Sequence, residues 1–356
     1  MADQSFGGIQ IKSLYKIFGP NGAAHIDAVK RGLSKSELNA RYHHVLGLKD
    51  ISIDIPSGCI QVIMGLSGSG KSTLIRHVNR LIDPTAGEVL VDGVDVVKMK
   101  ENELREFRRR QTAMVFQRFA LLPHRTVLEN TVFGLEVQGV ARAKCVHIAM
   151  AWLERVGLEG FERRYPNQLS GGMQQRVGLA RALANNAPVL LMDEAYSALD
   201  PLIRTDMQTV LLDLQREIRK TILFITHDLD EALRLGDQIA ILRDGEIIQQ
   251  GTSQDIVLRP ADDYVANFVK EVNRGRVVHV DAVMKPLPLG TPVNGPTVKL
   301  DATIEDALRK LAAAPGFDVA VVNPDGETVG SVDLRQLACA MVGPCRTSAS
   351  ALSMAT

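Results

Sequence analysis

The chain is poor in cysteine: Cys59, Cys145, Cys339 and Cys345 are scattered through 356 residues without CxxC spacing. That argues against a zinc site or a disulfide framework and fits a reducing compartment, with structural or neutral roles for all four. Net charge is also lacking, 41 basic residues being matched by 41 acidic ones. No broad field draws the chain to nucleic acid or an anionic membrane, and no nucleic-acid partner is expected. No apolar run approaches the roughly 18 to 20 residues that cross a bilayer. The first residues, Met1-Ala2-Asp3-Gln4-Ser5-Phe6, have neither the basic nor the apolar region of a leader. A cytosolic chain of about two domains is expected, touching a membrane only through another protein.

What the chain does have is Gly65-Leu66-Ser67-Gly68-Ser69-Gly70-Lys71-Ser72, set between an apolar run, Ile60 to Met64, and a helical stretch from Thr73 to Val78. This is the G-x-x-x-x-G-K-[ST] spacing of a phosphate-cradling loop. Glycines let successive N–H groups turn inward, and the helix N-terminus adds about half a positive charge. Lys71 can then reach the β- and γ-phosphates, and the Ser72 hydroxyl can ligate Mg²⁺.

Further strand ends carry polar residues. Thr112 to Gln117 reads as a strand stopping on Gln117, Val189 to Met192 as a buried strand closed by Asp193 and Glu194, and Thr221 to Thr226 as one followed by His227. Neighbouring strand residues face opposite ways, so Asp193 and Glu194 are assigned different tasks. Asp193 suits Mg²⁺, directly or through water; Glu194 suits accepting a proton from the attacking water. His227 is a candidate γ-phosphate contact. Leu169-Ser170-Gly171-Gly172-Met173-Gln174-Gln175-Arg176 opens a helix on a serine cap and two glycines. That is either an ordinary capped helix or a second anion-binding geometry. One way to use two phosphate sites is for the second to serve a nucleotide held by another copy.

Elsewhere, Ile9 to Lys16 reads as an opening strand, with Tyr15 and Phe18 near its end as core or base-stacking aromatics. An insertion over about 20–45 contains Ser34-Lys35-Ser36-Glu37, of capping-box form, ahead of a helix over Leu38 to Val45. Gly87 to Val91 reads as a strand closed by Asp92-Gly93, and Glu101 to Arg110 as a solvated helix whose arginines balance its glutamates. Leu121 to Leu158 is helical in pattern, with breaks expected at Pro123 and Gly134, and Asp200-Pro201 starts a helix to about Arg219.

These elements, in this order, resemble the ATP-binding subunit of an ABC transporter over about residues 9–270. The motifs are the phosphate loop, Gln117 as the Q-loop glutamine, the signature from Leu169 to Arg176, the Walker B strand ending at Glu194, the D-loop Ser197-Ala198-Leu199-Asp200 and the switch His227. The resemblance implies an α/β P-loop NTPase with a RecA-like core and a helical subdomain over about 118–180. It implies that Phe18 stacks on adenine and that ATP is held by Gly65, Ser67, Gly68, Ser69, Gly70, Lys71, Ser72 and Thr73. Ser170, Gly171 and Gly172 would complete the site from a second, head-to-tail copy. Mg²⁺ would be held by Ser72, Gln117 and Asp193, and catalysis would rest on Glu194, His227, Gln117 and Lys71.

Gly32-Leu33-Ser34-Lys35 in the insertion and Ala198-Leu199-Asp200-Pro201-Leu202-Ile203-Arg204 make the chain similar to importer ATPases for glycine betaine, proline and related quaternary amines. That implies membrane permease subunits, a separate solute-binding protein and a place on the cytoplasmic face of the membrane. Choline, histidine and other amino acids stay open as solutes. A soluble repair or translation ATPase is disfavoured by a single cassette and by the lack of a heptad pattern between Lys71 and Ser170; an exporter is disfavoured by the lack of fused membrane spans. From about Arg276 the character changes, and 276–356 resembles one cystathionine-β-synthase (CBS) regulatory repeat following an ATPase domain over 1–275. Its expected parts are a proline-rich linker, a strand from Thr297 to Leu300, a helix capped by Thr303, a hairpin over Asp318 to Val332 and a helix over Leu334 to Met341.

Overall fold

The computed structural model describes residues 7–342 apart from Arg118, Ala198 and 315–317. The first six residues, Ala198 of the expected D-loop, Cys345 and the end of the tail therefore lie outside the described residues. The chain divides into two compact units, Met1–Gln250 and Gly251–Thr356.

In chain order the first unit has strands β1 (Ile9–Phe18), β2 (Val45–Ile55), β3 (Ile60–Met64), β4 (Ala86–Val91), β5 (Val94–Asp95), β6 (Thr112–Val115), β7 (Val189–Asp193), β8 (Thr221–Thr226), β9 (Gln238–Arg243) and β10 (Glu246–Gly251). They form two sheets, ordered β2-β1-β4-β5 and β10-β9-β3-β8-β7-β6. The first is antiparallel, and Asp92-Gly93, both at positive φ, turns β4 into β5. In the second, β9, β3, β8, β7 and β6 run parallel. The continuous apolar runs of β3, β7 and β8 are buried at every position, as a sheet covered on both faces demands. The core joins Ile9, Ile11 and Leu14 of β1 to Ile63, Leu191 and Ile225 of the parallel sheet through Leu74, Ile75 and Val78 of the helix Lys71–Val78. Parallel strands end at the same edge. Met64 pairs with Thr226, Asp193 with Ile225 and Val115 with Met192, so residues that follow these strands are gathered in one place.

A helical region follows β6, with helices Val127–Val137, Arg142–Arg155 and Gly171–Ala184 around Val127, Leu153, Val156, Leu169 and Val177. Gly134, expected to interrupt the first of these, lies within it. A Cβ there would stand 2.8 Å from Asn185 Oδ1. Gln138 Nε2 donates to that same oxygen at 2.7 Å, while Asn185 Nδ2 donates to the Arg109 carbonyl at 3.3 Å. The glycine serves a close approach. Gly134→Ala gains about 0.5–1 kcal/mol of helix propensity but loses about 1–3 kcal/mol to overpacking. The variant is expected to be less stable by about 1 kcal/mol in urea unfolding; a rise in midpoint would show that Asn185 yields freely.

The insertion also differs from expectation. Its helix runs Lys35–Tyr42, with the Ser34–Glu37 capping box formed, and stops before Val45 because His43 turns left-handed. Val45 already belongs to β2, where it pairs with Phe18. β1 accordingly runs two residues past Lys16, and the two ends of the insertion meet across the sheet.

In the second unit, strands β11 (Lys285–Pro286), β12 (Thr297–Lys299), β13 (Val319–Val322) and β14 (Thr328–Val332) form a sheet ordered β11-β14-β13-β12. Pro286 sits on its outermost strand, where its missing N–H is tolerated. Helix Ile304–Ala313 starts on the Thr303–Asp306 capping box and helix Leu334–Val342 follows β14. The compact units part at Gln250, ahead of the compositional change at Arg276. Helix Arg274–Val277 packs on both later helices, and Val280 N–H donates to the Ala302 carbonyl at 2.8 Å.

Candidate functional site

The loop after β3 is fixed on both sides by close backbone approach. Gly65 and Gly70 have φ of 156° and 108°. A Cβ on Gly65 would lie 2.2 Å from the Leu242 carbonyl oxygen, and one on Gly70 2.7 Å from that of Gly47. Only glycine fits either position. Gly245 N–H, from the turn between β9 and β10, holds the Ser69 carbonyl at 2.9 Å. The helix Lys71–Val78 begins at Gly70 with no side-chain cap, leaving its N–H groups facing the loop.

Lys71 is 4% exposed. Its Nζ donates to the carbonyls of Gly65 at 2.8 Å and Leu66 at 3.0 Å, and lies 3.6 Å from Glu194 Oε1. Burial lowers its pKa, and the carboxylates of Glu194 and Asp193 oppose that shift. Ser69 Oγ is buried without a hydrogen-bond partner. An orphaned hydroxyl, an uncapped helix start and a buried ammonium suit a bound polyphosphate.

Asp193 and Glu194 have separate partners, as their opposed directions require. Ser72 Oγ donates to Asp193 Oδ1 at 2.7 Å, and Arg76 Nη2 lies 3.3 Å from Asp193 Oδ2. Two oxygen donors side by side at the end of the loop fit a hard divalent cation such as Mg²⁺. Glu194 leaves the strand at φ 46°. Its Oε2 accepts from Gln117 Nε2 at 3.1 Å and lies 3.5 Å from His227 Nδ1. Gln117 Nε2 also reaches Ser197 Oγ at 3.3 Å, and that hydroxyl donates to the Glu194 carbonyl at 2.9 Å. The structure thus gathers Lys71, Gln117, Glu194 and His227 into one cluster, and Ser72 and Asp193 into another beside it. Gln117, assigned by resemblance to the Mg²⁺ ligands, bonds here to Glu194 and Ser197.

Arg76 and Ser197 were not singled out as site residues by the sequence. Arg76 was accessible to helical periodicity, four residues after Ser72 and hence on its face. Ser197 enters the sequence reading only as the first residue of the D-loop, and nothing local to it announces a bond to a glutamine 80 positions earlier.

Phe18 is partly exposed, and its ring lies against Gly47, where a Cβ would be 2.6 Å from Phe18 Cε2. Gly47 also touches Gly70, so the ring lies one residue's width from the phosphate loop. Tyr15, the other aromatic near this strand end, is buried with Ile17, Val29 and Leu38. Ser170 Oγ accepts from Met173 N–H at 3.3 Å, and Gly171 and Gly172 open the helix beside it. Among the described residues, no hydrogen bond or ion pair joins Ser170–Gly172 to the cluster around Lys71.

The ABC transporter family model matches residues 48–197, from β2 through the phosphate loop to the turn after Glu194. The chain is 52% identical over 292 residues to the glycine betaine/proline betaine transport ATP-binding protein ProV of Salmonella typhimurium, covering 81% of this chain and 73% of that protein. It belongs to the ABC transporter ATP-binding family. Within that family it is also 51% identical to the glycine betaine transport ATP-binding protein OpuAA of Bacillus subtilis, over 82% of this chain and 70% of the relative. A solved structure, the ATP-binding cassette MJ0796 as a post-hydrolysis dimer bound to ADP and Pi, superposes with a TM-score of 0.59 at 33% identity, covering 69% of this chain and 98% of that one. The fold is that of a P-loop NTPase cassette. As a family member the chain is an ATP-hydrolysing transport ATPase, with ATP as substrate and Mg²⁺ as cofactor. Such ATPases work as dimers with membrane permease subunits. No helix among the described residues is long and apolar enough to cross a membrane.

Proposed function

We propose that this chain powers an importer of glycine betaine, proline betaine or a closely related quaternary amine. The observation that carries the proposal is its likeness to importer ATPases of that class, which reaches 48% identity over 94% of the chain for ProV of Escherichia coli. Two copies bind head to tail, each holding ATP on Gly65 to Thr73 with Phe18 against the adenine. Ser170, Gly171 and Gly172 of the other copy close on the γ-phosphate. Glu194 takes the proton of the attacking water, and Gln117 and His227 fix its carboxylate. Ser72 and Asp193 hold Mg²⁺, which supplies positive charge to the phosphate oxygens. Lys71 turns from its loop carbonyls to the β- and γ-phosphates, where transition-state charge is spread. The dimer docks on permease subunits at the cytoplasmic face, served by a solute-binding protein, and the second unit acts as one CBS-like regulatory repeat. Its strand-helix-strand-strand-helix order from β12 onward supports that last reading.

A second solute is favoured by length. The trimethylamine N-oxide transport ATP-binding protein TmoW of Pelagibacter ubique is 43% identical to this chain, which spans 94% of it. Uptake of radiolabelled glycine betaine, proline betaine, carnitine, choline, histidine and trimethylamine N-oxide by cells with and without the chain separates the readings. Glycine betaine uptake is expected to fall about tenfold or more without it, and to stay low when Glu194→Gln is supplied in its place. Loss confined to trimethylamine N-oxide would transfer the assignment; indifference of every methylated amine would overturn it.

A further inference from the structure

The geometry points to Arg204 as a positioning residue for His227, tying the loop before its own helix to the loop that carries the histidine. The inference rests on the role given to His227 above. His227 stands between the end of β8 and the helix Leu229–Leu235, with more than half of its side chain exposed. Its place therefore depends on its neighbours in sequence. Behind it, Asp228 has a partner at every polar side-chain position. Oδ1 caps the helix by accepting from Glu231 N–H at 3.1 Å, and Oδ2 accepts from Arg204 Nη1 at 2.7 Å. Asp228 N–H in turn donates to Thr226 Oγ1 at 3.0 Å.

Arg204 lies in the first turns of the helix Pro201–Ile218. Its second fork nitrogen reaches the Leu199 carbonyl at 3.4 Å, in the segment between Glu194 and that helix. The guanidinium is thus held by Leu199 on one side and Asp228 on the other, and its Nε is buried with no partner of its own. A planar fork can span two such acceptors; an ammonium, as a single point, cannot hold both in the same geometry.

Further along, the two helices are bonded side by side. Gln208 Nε2 donates to Glu231 Oε1 at 3.2 Å, and Arg234 donates to Gln208 Oε1 at 3.0 Å and Thr209 Oγ1 at 2.8 Å. Burial raises the pKa of Glu231, and bonds from Thr226 and Gln208 oppose the rise. This seam makes the helices move together, and Arg204 is its end nearest the site. Any shift of the Leu199–Asp200 segment is passed to Asp228 and so to His227, 3.5 Å from the Glu194 carboxylate. Leu202, on the same turn as Arg204, is 78% exposed, which leaves this end of the helix open to a second copy.

The test uses steady-state ATP hydrolysis by the full chain, with thermal unfolding in parallel. Arg204→Ala is expected to lower kcat about tenfold and to change KM for ATP by less than about threefold, since the loss falls on the reacting arrangement. Asp228→Asn keeps a good helix cap but loses the charge pair, so it should lower kcat comparably with little change in Tm. The double variant should be no worse than the single ones, because both break one link. Arg204→Lys should recover part of the rate. Arg234→Ala, in the same seam but far from His227, should lower Tm and leave kcat unchanged. Unchanged kcat in Arg204→Ala, additive losses in the double variant, or an equal loss of kcat in Arg234→Ala would each overturn the inference. His227→Ala is run beside them. If that variant keeps full turnover, the site reading itself falls; if it is inactive while Arg204→Ala is not, only the inference about Arg204 falls.

Discussion

Glu194→Gln is expected to lower ATP turnover by about 10² to 10⁴ while leaving nucleotide binding intact. The amide is the same size as the carboxylate and can still accept from Gln117, which donates at 3.1 Å. What disappears is the proton acceptor and one negative charge. That charge stands 3.6 Å from Lys71 Nζ and competes with a phosphate for it. Two effects on affinity then oppose each other. Burial already lowers the Lys71 pKa and Glu194 holds it up, so removing the carboxylate favours the neutral amine. An incoming polyphosphate brings more negative charge than the glutamate removed, and so favours the charged ammonium by more. The second effect is larger, so equal or tighter ATP binding is expected. Phosphate release measured beside nucleotide affinity checks both halves. Near-normal hydrolysis would remove Glu194 from its role as base, and a parallel collapse of affinity would make it a binding residue instead.

Much of this site was legible because parallel strands write themselves as plain apolar runs that stop on polar residues. β3, β7 and β8 could each be read in that way, and their shared direction brings Lys71, Glu194 and His227 to one edge. The phosphate loop was legible for the same local reason: its glycines, its lysine and its serine lie within eight positions. Features that depend on a distant partner were not. Nothing near Gly134 announces that Asn185 will press against it, and a glycine in a helical pattern reads as a break. The end of the insertion helix was misplaced by three residues because Val45 suits a helix pattern until it is known to pair with Phe18. Arg108 illustrates the mixture. Arg109 and Arg110 pair with Glu106 on the surface as charge patterning implies. Arg108 instead turns inward to the carbonyls of Asn79 and Arg80 at the end of another helix.

Lys71→Ala is expected to weaken ATP binding by about 10- to 100-fold and to bring turnover to background, because it removes a buried cation from the phosphate loop. It also removes the donor shared by the carbonyls of Gly65 and Leu66, which Lys71 Nζ reaches at 2.8 and 3.0 Å. Isothermal titration with nucleotide and a phosphate-release assay read the two effects, and unchanged values in both would remove Lys71 from the site. The same variant tests whether the site is shared. In a single chain Ser170 is bonded to its own helix through Met173 and has no link to the Lys71 cluster among the described residues. In the head-to-tail arrangement Ser170→Arg blocks the far side of a nucleotide held by the other copy. Each variant alone is expected to be inactive. A heterodimer of the two, isolated with a different tag on each chain, has one site with Lys71 and Ser170 both intact and one with both altered. Independent sites then give about half the wild-type rate. A heterodimer as inactive as its parents would mean either that both sites must fire together or that Ser170 acts within its own chain. Where the heterodimer is active, adding Glu194→Gln to the Ser170→Arg chain tests where that activity arises. It places the missing base in the one intact site, so any activity that survives cannot come from a composite site.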